Sequence, residues 1–225
     1  MKTINKILGR LKGEQFILDK KIPFSYMFLF FCRKTVNLLY GCFVFRRLSL
    51  IFVHPSAKIL CKCKLRFGRN LNIDRCCYLD ALSKEGIALG NNVSVGKNTT
   101  IECSGSLKYL GKGLKVGNNV GLGTHGFFGC AGGVEIGDDC IFGNFVSLHS
   151  ENHNYEDINL PIRLQGVNHK GIKIGKNCWI GAKVTILDGT EIGNHCVVAA
   201  GAVVRGVYPG NCIIGGVPSK IIRNI

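Results

Sequence analysis

Large apolar residues recur six positions apart along most of this chain, in long phased runs. Phe67, Ile73 and Leu79 form one run, and Leu89, Val95, Ile101 and Leu107 form a second. Val116, Leu122, Phe128 and Val134 follow, then Ile136, Phe142 and Leu148; the longest run is Ile174, Ile180, Ile186, Ile192, Val198 and Val204. The next residue is repeatedly Gly, followed by Asn, Asp or Lys, as in "LGNN", "VGKN", "VGNN", "IGDD", "IGKN" and "IGNH". Gly, Asn and Asp tolerate left-handed backbone angles and satisfy turn hydrogen bonds, so each hexad predicts a short strand and a tight corner. The fifth position is small or β-branched, as at Val93, Thr99, Gly105, Val120, Gly126, Val146, Val184, Thr190 and Ala202. It lies two residues before the next aliphatic, so the strand period turns both inward, and a narrow interior needs a small side chain there. Cys63, Cys77, Cys140, Cys178 and Cys196 share this position and read as apolar fillers, not as ligands or a disulfide framework. Three hexads to a turn predict a coil of triangular section, stacked on its neighbours at about 4.8 Å through parallel strand pairing. Such a solenoid needs caps, for which the N-terminal segment and "YPGNCIIGGVPSKIIRNI" are the candidates.

The phase is lost between Leu148 and Ile174 and resumes cleanly afterwards, so this segment is expected to leave the coil as a loop. Long loops on rigid scaffolds commonly carry function, and this one holds His149, His153 and His169. Zinc is the alternative for these histidines, because carbonic anhydrases on a similar coil bind it through three of them. Those enzymes space two histidines five apart with the third about two coils earlier. Here His149 and His153 are four apart and His125 precedes the pair out of phase, so no metal is expected.

The stretch "IGKNCWIGAKVTILDGTEIGNHCVVAAGAVV" and the later "GGVPSKIIR" make residues 53–225 resemble the hexapeptide-repeat acyltransferases, in particular the maltose, galactoside and polysaccharide O-acetyltransferase branch. The resemblance implies an all-β fold, a left-handed parallel β-helix, whose hand runs against the usual right-handed crossover rule. It implies transfer of an acetyl group from acetyl-CoA to a sugar hydroxyl in making a surface polysaccharide such as capsule or O-antigen. By this resemblance His153, in "VSLHSENHNY", is the general base; imidazole is neutral and proton-accepting near pH 7, with an unperturbed pKa of roughly 6.5. His149 reads as structural, while Glu151 and Asn152 are candidates for orienting the site. For the donor, the resemblance assigns Ala182 and Ala200 to the wall of a pantetheine groove and Trp179 to its side. Arg205 and Gly206 would flank its outer end, although a smaller hydroxyl residue is common at the former in relatives. Lys220 and Arg223 would meet the nucleotide phosphates through charge-assisted bonds. For the acceptor it points to "GLGTHGFFGCAGG", with His125 and Thr124 as competing candidates beside a purely structural role for both. It also implies a homotrimer, with His153 of one chain facing donor residues of the next.

Charge changes the picture at one end only. Of the 29 Lys and Arg residues, 15 lie in residues 1–70 against only Glu14 and Asp19, whereas the remainder is nearly neutral. The basic residues alternate with the apolar blocks "IPFSYMFLFF" and "TVNLLYGCFVF", which favours an anionic membrane surface over nucleic acid. Packing against the rest of the protein is the equal alternative. Each block is too short to span a bilayer, and Arg33 and Lys34 separate them. No stretch reads as a cleavable signal peptide, so the expected location is cytoplasmic, with possible peripheral attachment to the inner face of the membrane through residues 1–52. The expected organisation is a basic helical segment over 1–52, the solenoid over 53–207 with a loop extruded over 149–173, and a C-terminal cap and tail over 208–225. The acceptor expected is a sugar or lipid-linked glycan. Acetylation of serine or an amino sugar, and a non-catalytic binding scaffold, are the alternative functions.

Overall fold

The computed structural model describes residues 18–225; what the sequence implies for residues 1–17 lies outside them. From Ile51 onward the chain winds as the hexads require. Three sheets form, of nine, seven and seven strands; every pairing within the coils is parallel, and only the last strand of the nine-stranded sheet pairs antiparallel. The hexad aliphatics fill one continuous interior: Ile73, Leu79, Val95, Ile101, Leu122, Phe128, Leu148, Ile180 and Ile186 are fully or almost fully buried. Four of the five cysteine fillers, Cys77, Cys140, Cys178 and Cys196, are buried beside them. Burial pushes the Cys77 thiol up to about 11, as expected of an inert filler. Cys63 differs: it lies exposed in a short 3₁₀ turn, Lys62–Lys64, with its Sγ 3.7 Å from that of Cys61.

The register shows where the coil can vary. From the third sheet to the first, and from the first to the second, equivalent residues are six or seven apart in every coil: Val134 to Cys140, Ile141 to Ser147, Trp179 to Thr185. The edge between the second and third sheets is different. Seven positions carry the chain from Phe127 to Val134, but 14 separate Thr100 from Leu114 and 25 separate Ser147 from Ile172. Both excursions therefore leave from one edge of the prism. The larger is the expected loop, running from Ser150 to Gly171 between the strands Ser147–His149 and Ile172–Ile174. The smaller, at residues 104–112, leaves no visible break in the hexad phase, because Leu107 follows Ile101 by six residues. It carries Leu107 out to 93% exposure, so that residue is a loop tip and not the core position its spacing suggested, and Gly105 pairs with Leu110 there instead of facing inward.

The corners between the third and first sheets are built by a side-chain ladder. Asn70 donates to Asn92 (3.1 Å), Asn92 to Asn119 (2.8 Å) and Asn119 to Asp139 (2.8 Å), and each of the four has a φ between 57° and 60°. Asparagine and aspartate serve here because they accept the left-handed conformation and reach the next coil.

Each end is closed. A 22-residue helix, α1 (Phe24–Phe45), begins after Pro23 and ends at Arg46, whose φ of 49° breaks it. The two apolar blocks, read separately from the sequence, are one helix across Arg33 and Lys34, long and apolar enough by length and composition alone to cross a membrane. A stripe of Met27, Phe30, Lys34, Asn37 and Gly41 faces the first coil, while Phe24, Phe28, Leu29, Val36, Leu39 and Phe43 are exposed. Gly41 allows the approach, since a Cβ there would lie 2.1 Å from the Ile51 carbonyl oxygen. Lys34 turns inward: its Nζ donates to Asn72 Oδ1 at 2.6 Å and lies over the Phe52 ring, and burial lowers its pKa. At the other end Cys212–Gly216 and Ser219–Asn224 form an antiparallel hairpin.

The corner ladder makes a stability prediction. Asn119→Val should cost about 3 kcal/mol, from two lost hydrogen bonds and a β-branched residue forced to positive φ. Asn119→Gly should cost roughly half that, because only the bonds go. Urea unfolding of both variants checks the order; equal losses would rule out backbone conformation as a determinant of the corner.

Candidate active site

The extruded loop is rooted by residues whose importance the hexad pattern hides. Its first residue, Ser150, is buried; its Oγ donates to the Gly129 carbonyl (2.8 Å) and accepts from the Gly132 N–H (2.9 Å). Gly132 is required there, because a Cβ would lie 1.7 Å from the Ser150 carbonyl oxygen. Asp188, in the next coil, is 4% exposed and clamps both arms of the loop. It accepts from Asn152 Nδ2 (3.1 Å) on the outgoing arm, and from the Lys170 (2.9 Å) and Gly171 (2.7 Å) N–H groups on the returning arm. The only sequence signal for it is an acidic residue, "ILDGT", in a hexad otherwise built from apolar and turn residues.

Between these anchors the two arms pair as a short antiparallel ribbon, Asn152 with Asn168 and His153 with Val167. Strand alternation then sets Glu151, His153, Val167 and His169 on one face of the ribbon, and Asn152 and Asn168 on the other. His153 is exposed, and its ring has no hydrogen-bond partner among the described residues. His149 is already engaged: its Nε2 lies 2.6 Å from Ser147 Oγ and its ring rests against Phe127. Asn152 is taken up by Asp188, which makes it an anchor of the ribbon carrying His153. Farther out, Gln165 and Asn154 stitch the loop to itself through Asp157, Leu160 and the Gln165 carbonyl.

The other candidates divide between edges. Thr124, His125, Ala182 and Ala200 all lie on the edge between the first and second sheets; Ala182 and Ala200 are on adjacent coils, and the coil of Asn144 separates them from Thr124 and His125. Thr124 Oγ1 donates to Asn144 (3.0 Å), and His125 adopts a φ of 56°, meets Asn98 at 3.2 Å and stacks on Phe145. Those contacts give both residues a structural task. Ala182 and Ala200 flank a wall too close for side chains: Cβ atoms on Gly143 and Gly181 would lie 2.6 Å from the amide nitrogens of Ala182 and Ala200. Neither of those two amides has a hydrogen-bond acceptor among the described residues. Trp179 is exposed on the outer face of the first sheet. Lys220 pairs with Gly215, which packs over Ala199, so it stands at the C-terminal end of the alanine edge; Arg223 pairs with Ile213 farther along the hairpin. Arg205 and Gly206 are elsewhere, on the loop-bearing edge two coils beyond the loop. One chain thus gathers Thr124, His125, Ala182 and Ala200 along one edge and carries His153 on another. Among the described residues no group of three or more His, Cys, Asp and Glu side chains is disposed to hold a metal.

Stacked parallel coils, hexad corners and an extruded loop define a parallel β-helix built from six-residue repeats. Residues 171–206 match the family described as bacterial transferase hexapeptide (six repeats). A putative lipopolysaccharide biosynthesis O-acetyl transferase of Escherichia coli is 38% identical over 97 residues, covering 40% of this chain and 50% of that protein. The galactoside O-acetyltransferase of the same organism is 36% identical over 93 residues, covering 41% of this chain and 44% of that protein. A probable acetyltransferase of Mycobacterium tuberculosis is 41% identical over 91 residues, covering 40% of this chain and 30% of its own length. The alignments thus span half or less of each relative's length. Among solved structures, a mutant N-acyltransferase from Bacillus cereus in complex with dTDP and coenzyme A shares the fold at a TM-score of 0.57 and 20% identity, covering 71% of this chain and 83% of that one.

The Asp188 clamp predicts a local effect. Asp188→Ala should open the loop to limited proteolysis within residues 155–166, because three hydrogen bonds to a carboxylate, each worth about 1.5–3 kcal/mol, are lost at its root. An unchanged cleavage rate in that segment would show that the loop is held by other means.

Proposed function

We propose that this protein is an acetyl-CoA-dependent O-acetyltransferase acting on a sugar hydroxyl in the making of a surface polysaccharide. The observation that carries the reading is His153: an accessible imidazole on a ribbon clamped to an uninterrupted coil. The named acetyltransferases among the relatives support the same chemistry. His153 takes the proton of the acceptor hydroxyl as that oxygen attacks the thioester carbonyl. The tetrahedral intermediate collapses with cleavage of the carbon–sulfur bond, and the imidazolium returns the proton to the departing thiolate of CoA. No enzyme nucleophile is needed. The unpaired amides of Ala182 and Ala200 suit the amide groups of a pantetheine arm laid along the edge, and Lys220 at its end suits the nucleotide phosphates.

A homotrimer accounts for the division of these groups between two edges. Rotation about a threefold axis sets the loop-bearing edge of one chain beside the alanine edge of the next, and closes after three copies. His153→Ala should lower acetyl transfer by at least ~100-fold, the lower range for a general base, with unchanged circular dichroism. A variant retaining wild-type turnover would remove His153 from the chemistry.

The exposed face of α1 is proposed to lie on an anionic membrane surface, from the inner side of the cell. Its docked stripe leaves Phe24, Phe28, Leu29, Leu39 and Phe43 pointing away from the coil, beside Arg46 and Arg47. A Phe28→Glu, Leu39→Glu double variant should bind vesicles containing phosphatidylglycerol at least about tenfold more weakly than the wild type, since each side chain is worth about 1.5–3 kcal/mol when buried. Equal sedimentation of both proteins with vesicles would end the membrane reading.

A further inference from the structure

The two excursions on the loop-bearing edge enclose a cleft of about 540 Å³. One wall is the small insertion, which is a defined element: Gly105 pairs with Leu110, and the Tyr109 N–H donates to Ser106 Oγ at 3.0 Å. Its returning arm is tied to the coil below, where the Lys84 N–H donates to the Gly111 carbonyl (2.8 Å) and the Glu85 N–H to that of Lys112 (2.9 Å). Gly111 must lack a side chain, since a Cβ would meet the Cys103 carbonyl at 2.1 Å. The opposite wall is the root of the large loop. Glu151, Val167 and His169 line the cleft there, and these three share their face of the ribbon with His153. Asn154 and Gly166 complete this wall, so the cleft runs against the ribbon that carries the exposed imidazole.

Its lining has a consistent chemistry. Lys84 and Lys108 bring two cations, Glu151 one carboxylate, and Tyr109 an exposed ring whose own face is approached by the Lys108 ammonium at 5.2 Å. An aromatic ring offers a platform for the apolar face of a sugar, a carboxylate accepts from hydroxyls, and paired ammonium groups select phosphate. The order along the solenoid is also fixed. Lys84 is three coils nearer α1 than the large loop, or roughly 14 Å at the usual spacing of stacked strands.

We propose that this cleft is the acceptor subsite and that it takes a sugar linked through pyrophosphate. Lys84 and Lys108 hold the phosphates on the side of α1, Tyr109 and Glu151 hold the sugar, and a hydroxyl at the far side reaches His153. The proposal rests on the assignment of His153 as the base, and it moves acceptor recognition away from Thr124 and His125, whose side chains are engaged between coils. Pyrophosphate-linked sugars come attached to a nucleoside or to a polyprenol, and the cleft chemistry is the same for both.

Isothermal titration of the full chain with three probes tests this: a nucleoside diphosphate hexose, the same hexose linked by pyrophosphate to a short prenol, and the free hexose. Both pyrophosphate probes should bind at least about tenfold more tightly than the free hexose, as expected for charge-assisted bonds. Tighter binding of the prenol probe identifies a lipid-linked acceptor, and tighter binding of the nucleoside probe a nucleotide sugar. A Lys84→Ala, Lys108→Ala double variant, altered only at exposed positions, should lose the preference, and Tyr109→Ala should weaken all three probes. No preference for pyrophosphate in the wild type, or an unchanged preference in the double variant, overturns the proposal. His153→Ala should keep the preference while losing turnover. Turnover persisting in that variant counts against the base, whereas the binding series alone decides the cleft.

Discussion

The narrow interior of the coil is the constraint on which everything else depends. Parallel strands stack at about 4.8 Å, so each coil must present its inward side chains directly above those of the coil below. Leu122, Phe128 and Val134 fill one coil in this way, and Phe142, Leu148 and Ile172 the next. Two of the three corners are also built by contacts that pass from coil to coil. Asn70, Asn92, Asn119 and Asp139 form the ladder at one, while Asn98 with His125 and Thr124 with Asn144 bridge the other. An inserted residue at either corner would break bonds both above and below. The third corner has no such continuous ladder, and both insertions leave there.

This explains what the sequence discloses and what it hides. Inward spacing is dictated by packing, so the hexads reveal the coils, the break after Leu148 reveals the large loop, and four buried cysteines betray their small-residue position. The small insertion escapes because Leu107 falls six residues after Ile101 by coincidence and Gly105 suits a fifth position equally well. Periodicity records spacing, and it cannot distinguish an apolar side chain facing the core from one at 93% exposure. Cys63 fails for the same reason, since a 3₁₀ turn replaces the corner that would have turned it inward. Arg33 and Lys34 misled for a different one: charge in an apolar stretch reads as a boundary, yet a single inward lysine satisfied by Asn72 lets the helix continue.

The site is less legible than the fold, because its residues are joined by tertiary contacts that no spacing encodes. His153 stands out through its place in a phase break. Asp188 does not, although it ties Asn152, Lys170 and Gly171 together across the root of the loop and so fixes the ribbon on which His153 sits. Burying a carboxylate is unfavourable without partners, and here two backbone N–H groups and a side-chain amide supply them. Asp188 is thus explained by what it holds outside the coil, whereas the buried hydroxyls of Thr99 and Thr190 bond within it.

A rigid rod that varies at only one edge has a direction as well as a surface. The helix α1 covers its first coil, the small insertion stands on the third, and the large loop leaves two coils later, all in a fixed axial order. Lengthening or shortening the coil between the helix and the loop would change their separation in steps of about 4.8 Å without disturbing either. The number of coils is therefore a ruler: it sets how far the imidazole of His153 stands from the exposed face of α1.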